Sequence, residues 1–462
     1  MNPANPPTGE NPDVIIVGGG IGGLSSAFAL ARQGLRVRVL ERAPEFGEVG
    51  AGLQIAPNCT RILDEYGLLD EAKELGVLPE NMVMRDALDS RELTRLDLRD
   101  VERRYGFPYM VIHRSDLHGI FLRACRRAGV ELLTDRTVTD YEHTDGGARI
   151  HLADGGTEEA PVVIAADGLH SVARRTLVGD EVVSSDYVAY RAAVPIDEVR
   201  DNGVAEKDVT VYVGPRCHFV QYALRGGDMF NQVAVFESPK ALAGKDDWGT
   251  PDELDAAFAA TCDAVRKGIP LMWRDRWWQM LDRDPVETWV HGRIALVGDA
   301  AHPPLQYMAQ GAIMAIEDGW VLARHVARHT AANAGADAHA GAAVNTGTDR
   351  NADAEVNTAP GGSAGVPDWD AVLTSYEAVR VEHCRRVQTT ARAWGELWHL
   401  DGEQRLRRNA IMRGRDDHDY GFTDWVYGPT ALDPDEEPAM FTPIPLSSAR
   451  LGDDAAHEVA RA

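Results

Sequence analysis

The chain has little positive charge to set against its negative charge. Lys and Arg number 47 against 72 Asp and Glu over 462 residues, a formal net charge of −25. A field of that sign repels nucleic acid and anionic membrane surfaces, so neither is expected as a partner. A small anionic substrate would need a local cationic or hydrogen-bonding pocket working against that field. The five cysteines (Cys59, Cys125, Cys217, Cys262, Cys384) contain no C-x-x-C pair. No disulfide framework and no metal site is expected; reduced thiols in a cytoplasmic setting are. Residues 1–12 lack the basic and apolar regions of a secretory signal. No apolar run reaches the ~18 residues of a membrane helix, and Val14–Ala31 is broken by five glycines. From 330 to 366 large apolar side chains are almost missing, so a disordered insertion is expected there. What is present is ordinary: 44% hydrophobic and 26% charged residues, a globular chain long enough for two or three domains.

The most informative stretch is Val14–Glu41. Val14-Ile15-Ile16-Val17 reads as a buried strand, and Gly18, Gly20 and Gly23 then give G-x-G-x-x-G. Gly18 suits a tight turn, Gly20 a close approach to pyrophosphate, and Gly23 the packing of helix on strand. Ile21 opens the helix, whose N-terminus offers free N–H groups and a positive dipole end to phosphates. Gly34 stops that helix, Leu35–Leu40 reads as a second strand, and Glu41 ends it. Glu41 suits ribose hydroxyls. A glycine triplet alone is weak evidence; strand, triplet, helix, strand and acid in register form a dinucleotide unit. The unit by itself leaves NAD and FAD open.

Along the rest of the chain, a helix is expected over Thr60–Tyr66, and strands of a second domain over Pro79–Tyr105. A helix should run from near His113-Arg114-Ser115-Asp116-Leu117 to about Arg127, followed by a strand, a hairpin and the buried strand Pro161–Ala166. Val209–Val213, His218–Leu224 and Gln232–Phe236 read as an antiparallel sheet, and Leu254–Arg266 as a helix. A helix should begin near Gly311 and end near His329, and Trp369–Leu400 regains a helical period. The fold class expected is α/β: a Rossmann-like dinucleotide-binding domain, FAD-binding on the resemblance drawn from the next two motifs, interleaved with an antiparallel β-sheet substrate domain, plus C-terminal helices. The first takes 12–80, 109–182 and 284–329; the second takes 81–108 and 183–283; 367–428 is helical and 429–462 a tail.

Two further signals each follow a buried strand: Ala166-Asp167-Gly168 running to Arg174, and Val297-Gly298-Asp299-Ala300-Ala301-His302-Pro303. An NAD dehydrogenase has no reason to carry them. With the opening unit, they make the sequence resemble the single-component FAD-dependent aromatic hydroxylases, the family of p-hydroxybenzoate and salicylate hydroxylases. The resemblance runs from about Asp13 to Tyr427, apart from the insertion.

It implies FAD held by Glu41 with Arg42 beside it, by Arg114 at the phosphates, and by Asp299 at the ribityl and pyrophosphate region. Asp167 is implied as a structural residue serving FAD and the nicotinamide, and Gln54 lies in a loop implied to be near the flavin. The helix starting at Gly311-Ala312 would aim N–H groups at the flavin, where its dipole stabilises anionic reduced flavin. The family pattern there is G-Q-G-A-N; this chain has Ala309-Gln310-Gly311-Ala312-Ile313. His218-Phe219-Val220-Gln221-Tyr222 and Pro303-Pro304-Leu305-Gln306-Tyr307 resemble the branch of the family that hydroxylates 3-hydroxybenzoate. That branch implies His218 and Gln306 as catalytic and Tyr222 at the substrate. His218 and Tyr222 are four apart and share a face if extended.

The implied chemistry uses NADH to reduce FAD and O2 to form a flavin C4a-hydroperoxide that hydroxylates 3-hydroxybenzoate to gentisate. The implied partners are a small aromatic acid and O2; the oligomeric state, a homodimer included, stays open. The alternatives are salicylate 1-hydroxylation to catechol, another phenolic-ring hydroxylase, or a non-catalytic FAD-binding redox sensor. Flavin-dependent halogenases carry W-x-W-x-I-P, which Trp273–Trp278 does not match.

Overall fold

The computed structural model describes residues 11–47, 50–341 and 367–428, with the backbone path alone over 331–341. The expectations for 1–10, 342–366 and 429–462 lie outside the described residues.

Val14–Val17 is fully buried, and it sits at the centre of a six-stranded sheet. Val162–Ala165 and Val37–Leu40 flank it in parallel, followed outward by Ile294–Leu296 and Glu131–Leu133. Strands buried on both faces read as continuous apolar runs, which is how they stand in the sequence. The helix Ile21–Ala31 packs on this sheet and against the helix Gly311–Gly341.

A seven-stranded sheet lies beside it, in the order 278–282, 183–195, 229–237, 217–224, 208–214, 81–86, 92–97. All neighbours are antiparallel except 208–214 with 81–86, which run parallel. Strict alternation splits its side chains. Tyr190, Tyr212, Phe219 and Phe236 face a core closed by Leu254, Phe258 and Val265. Their neighbours in sequence face the first domain. The helix Trp369–Trp398 packs on the helix Gly311–Gly341, and Gly402–Arg413 packs on strand 92–97. No helix among the described residues is long and apolar enough to cross a membrane, and the five cysteines are free.

Three local expectations change. Within 79–105, only 81–86 and 92–97 are strands; Leu98–Tyr105 is a helix. Asp97 caps it by accepting from the backbone N–H of Arg99 and Asp100, and Gly106 ends it at φ 79°. Only Leu98 and Val101 are buried on it, too few for a visible period. The helix expected over 254–266 is two, Pro251–Phe258 and Asp263–Gly268. They part where Thr261 Oγ bonds the Phe258 carbonyl and Cys262 N–H bonds Ala87. The helix from Gly311 continues to Gly341, past the expected start of the insertion at Thr330. Six of residues 331–341 are Ala, the residue of highest helix propensity.

Candidate active site

A cleft of about 1010 Å³ runs between the two sheets. That exceeds the volume of most small-ligand pockets, which lie at roughly 300–1,000 Å³, and suits a dinucleotide with a ring beside it. Gly18, Gly20, Ile21, Glu41, Arg42, Gln54, Arg114, Asp167, Asp299, Gly311 and Ala312 all line it. So do His218, Tyr222 and Gln306. Gly23 stands behind the wall: a Cβ there would lie 1.9 Å from the Gly18 carbonyl oxygen. Gly18 has φ +108°, and a Cβ would come 2.3 Å from the Ala166 oxygen. Both positions therefore demand glycine.

At one end of the cleft Glu41 is fixed by two backbone donors, Gly19 N–H at 2.7 Å and Ala43 N–H at 2.8 Å. Arg136, which sequence reading missed, lies beside Glu41 and donates its own N–H to the Glu41 carbonyl. Asp167 accepts from Val172 N–H at 2.8 Å and from Tyr141 OH at 3.3 Å through one oxygen. Its other oxygen is buried without a partner. Gln54 Oε1 accepts from Tyr109 OH at 2.6 Å. Asp299 is exposed on the turn Gly298–Ala300, at the cleft wall.

That turn is anchored from below. Asp318 accepts from Gly298 N–H at 2.8 Å and His302 Nε2 at 2.7 Å through one oxygen, and from Arg380 Nε at 2.8 Å through the other. All three side chains are fully buried. Burial pushes the Asp318 pKa up, but His302 and Arg380 overcome it and hold it at about 2. Burial likewise opposes charge on His302, yet Asp318 and Cys384 carry its pKa well above the ordinary value. His302, Asp318 and Cys384 bring ligand-type atoms within 4.8 Å of one another, but Asp318 has spent both oxygens on its hydrogen bonds. A second buried chain holds the loop before Gly311: Asn58 Nδ2 donates to Glu317 at 2.6 Å and to Gln310 at 3.0 Å. Ala309, where the family pattern has glycine, adopts φ 55°.

At the other end the seven-stranded sheet presents its second face. Val235 pairs with His218, Val233 with Val220, and Asn231 with Tyr222. His218 and Tyr222 thus share the cleft side, as their spacing requires. His218 Nε2 lies 3.4 Å from Gln306 Nε2 and its Nδ1 lies 2.9 Å from His399 Nε2. Tyr307 and Trp398 close around it, with ring centres at 5.4 and 5.2 Å. Burial pushes the His218 pKa down to about 3, so the imidazole is neutral at pH 7. Burial also raises the Tyr222 pKa, keeping it a phenol.

Arg191 is the residue that sequence reading missed here. It sits mid-strand opposite Val233 and lines the cleft near Tyr222. Its guanidinium lies 5.5 Å from the Trp278 ring centre, and its Nε is buried without a partner. No carboxylate pairs with it among the described residues. Burial, joined by repulsion from Arg114, pushes its pKa below the usual arginine value. A buried cation without a counter-ion is expensive unless an anion arrives. The available signal was an arginine inside the apolar run Tyr187–Pro195, with no acid on the same strand face.

The cleft suits a flavin dinucleotide on its own geometry. The glycine turn packs too tightly on Ala166 and on itself for any Cβ, which leaves bare backbone at the cleft wall, the helix at Gly311 starts at that wall, and Asp167 keeps an unpaired oxygen there. Fold and cleft together define a two-domain FAD-dependent hydroxylase. The chain belongs to the FAD binding domain family, whose model matches residues 11–344. It is 34% identical to 3-hydroxybenzoate 6-hydroxylase of Polaromonas naphthalenivorans (strain CJ2), over 92% of this chain and 97% of that one. It is 33% identical to 3-amino-4-hydroxybenzoate 2-monooxygenase of Streptomyces cremeus, over 91% and 96%. Among solved structures, Klebsiella pneumoniae HpxO complexed with FAD and uric acid superposes with a TM-score of 0.71 at 24% identity, covering 87% of this chain and 92% of that one. A salicylate hydroxylase substrate complex does so with 0.66 at 24% identity, over 87% and 92%.

Proposed function

We propose that the chain uses FAD, NADH and O2 to hydroxylate 3-hydroxybenzoate para to its hydroxyl, giving gentisate. The observation that carries this reading is the row His218, Tyr222 and Arg191 on one sheet face, with Gln306 opposite His218. Bound FAD supplies electron transfer from the nicotinamide and the activation of O2. Glu41, Arg42, Arg114, Asp299, Gln54 and the N-terminus at Gly311-Ala312 would hold it. Asp167 supports the wall by capping the helix Val172–Leu177.

The protein's own share is to ready the ring. A phenol of pKa ~10 is about 0.1% ionised at pH 7, a deficit of ~4 kcal/mol. His218, neutral, accepts the hydroxyl proton at Nε2, and a placed base contributes roughly 10²–10⁴-fold. Gln306 orients that hydroxyl. Arg191 and Tyr222 receive the carboxylate, which answers the need for a local cation in an acidic chain. The end of the helix Trp369–Trp398 and the segment 411–427 line the ring end of the cleft and shield it from bulk water.

The near-equal identity to an amino-substituted 4-hydroxybenzoate monooxygenase favours a second reading, a substituted 4-hydroxybenzoate as substrate. One experiment separates the two. Purified yellow protein is incubated with NADH and each hydroxybenzoate, and products are identified by chromatography. Gentisate from 3-hydroxybenzoate supports the first reading; NADH oxidation stimulated only by amino-hydroxybenzoates supports the second.

A further inference from the structure

We propose that His399 is a positioning residue for the reaction: it fixes the tautomer of His218 and passes on the proton that His218 takes from the substrate hydroxyl. This rests on the function proposed above. The two imidazoles lie edge to edge and close to coplanar, with centres 5.1 Å apart and planes at 21°. His218 Nδ1 and His399 Nε2 lie 2.9 Å apart, so one of them donates to the other. On its far side His218 Nε2 meets the Gln306 amide nitrogen, a donor. Nε2 is therefore the accepting nitrogen, and Nδ1 carries the hydrogen and donates to His399. His399 then holds its own hydrogen on Nδ1.

When the substrate hydroxyl gives its proton to His218 Nε2, His218 passes the Nδ1 proton to His399 Nε2. His399 releases its Nδ1 proton to water. The sum is one phenolate formed and one proton delivered to solvent, with no charge left on the buried pair. That matters because neither ring holds a charge easily. Burial drives the His399 pKa well below the ordinary value, with repulsion from His218 and Arg408 adding to it. His218 keeps 1% of its surface and His399 7%, so His399 is the more open member of the pair.

His399 is held as a built position. It follows the helix Trp369–Trp398, its carbonyl accepts from Arg216 N–H at 3.0 Å, and the Tyr187 ring stacks on it at 4.5 Å. Tyr307 meets its ring edge at 5.5 Å. Arg408 clamps the preceding carbonyls of Leu397 and Trp398 at 3.1 and 2.6 Å. Asn409 and Asp86 in turn hold Arg408.

The test uses the full-length FAD-loaded enzyme and two variants. His399→Gln offers Oε1 to His218 Nδ1 but carries no proton onward; His399→Phe removes both functions and keeps the stack on Tyr187. The readouts are gentisate formation against pH and the ultraviolet titration of bound 3-hydroxybenzoate. The proposal expects KM within about threefold in His399→Gln and kcat lowered at least about tenfold at pH 7, a part of the roughly 10²–10⁴-fold that a placed base contributes. It also expects the deficit to shrink as pH rises toward the phenol pKa, and the bound hydroxyl to ionise at higher pH. His399→Phe should lose more kcat than His399→Gln. A wild-type kcat and unshifted titration in both variants overturns the relay while leaving the function intact. So does a loss that is equal at every pH. Wild-type enzyme that hydroxylates no hydroxybenzoate overturns the function and the relay together.

Discussion

The Tyr222 ring lies directly over Gly52, so that a Cβ at Gly52 would come 2.4 Å from a ring carbon and 2.7 Å from the hydroxyl. Gly52 also donates its N–H to Asn231 Oδ1 at 2.9 Å. The two domains therefore meet through a phenol and a bare backbone. Gly52→Ala should push Tyr222 from its place and cost about 1–3 kcal/mol, as overpacking does. Thermal unfolding of the FAD-loaded protein measures the cost. A raised KM for the aromatic acid should accompany it.

His218→Ala should leave FAD bound and lower hydroxylation at least tenfold, which single-turnover product formation checks. pH adds an independent handle. The His218 pKa is lowered from 6.5 to about 3 in the fold, so between those values the unfolded chain binds the extra proton. The contribution is whole above pH 6.5 and declines as pH falls toward 3. Denaturant midpoints taken from pH 7 to pH 4 should fall less steeply in His218→Gln than in the parent.

Arg191→Gln should weaken substrate binding more than turnover. Loss of one charge-assisted contact is worth about 2 kcal/mol, or roughly thirtyfold in KM. Flavin absorbance titrated with 3-hydroxybenzoate reads it directly. An unchanged KM would assign the carboxylate to Tyr222 alone.

Asp318→Asn strips His302 of its buried acid and leaves Arg380 with Glu317 alone. Breaking such a pair from one side costs about 3–5 kcal/mol. Urea unfolding should show it, and FAD retention should weaken because Asp318 holds Gly298 beside Asp299. The Asp318 pKa sits at about 2, so this contribution is present above pH 4 and lost as pH falls through 2.

Ala309 holds a left-handed backbone at φ 55°. That conformation costs an L-residue roughly 1–2 kcal/mol, part of which glycine returns as freedom in the unfolded chain. Ala309→Gly should stabilise the fold by up to about 1 kcal/mol. Urea midpoints on matched preparations measure it.

The nucleotide half was legible because its signals are local. Gly18, Gly20 and Gly23 declare their turn within a few residues, and Asp167 and Asp299 each follow an apolar strand. His218 and Tyr222 stood out through the family resemblance, and alternation then put them on one face. Arg191 was not, since its meaning depends on which strands pair beside it and on the missing acid. His399 was further out of reach, 181 residues from the ring it touches. The helix Leu98–Tyr105 and the break at Thr261-Cys262 escaped for another reason. Each is decided by one or two hydrogen bonds rather than by a pattern of apolar residues.

Along each strand of the seven-stranded sheet, neighbours answer to separate demands. Val220 and Val233 shape the cleft, while Phe219 and Ala234, one step away, keep the opposite core shut. Exchanging Val220 or Val233 for larger or smaller groups can therefore retune which aromatic acid fits without disturbing the scaffold. Selection, natural or in the laboratory, gains a set of independent dials on a platform that stays still.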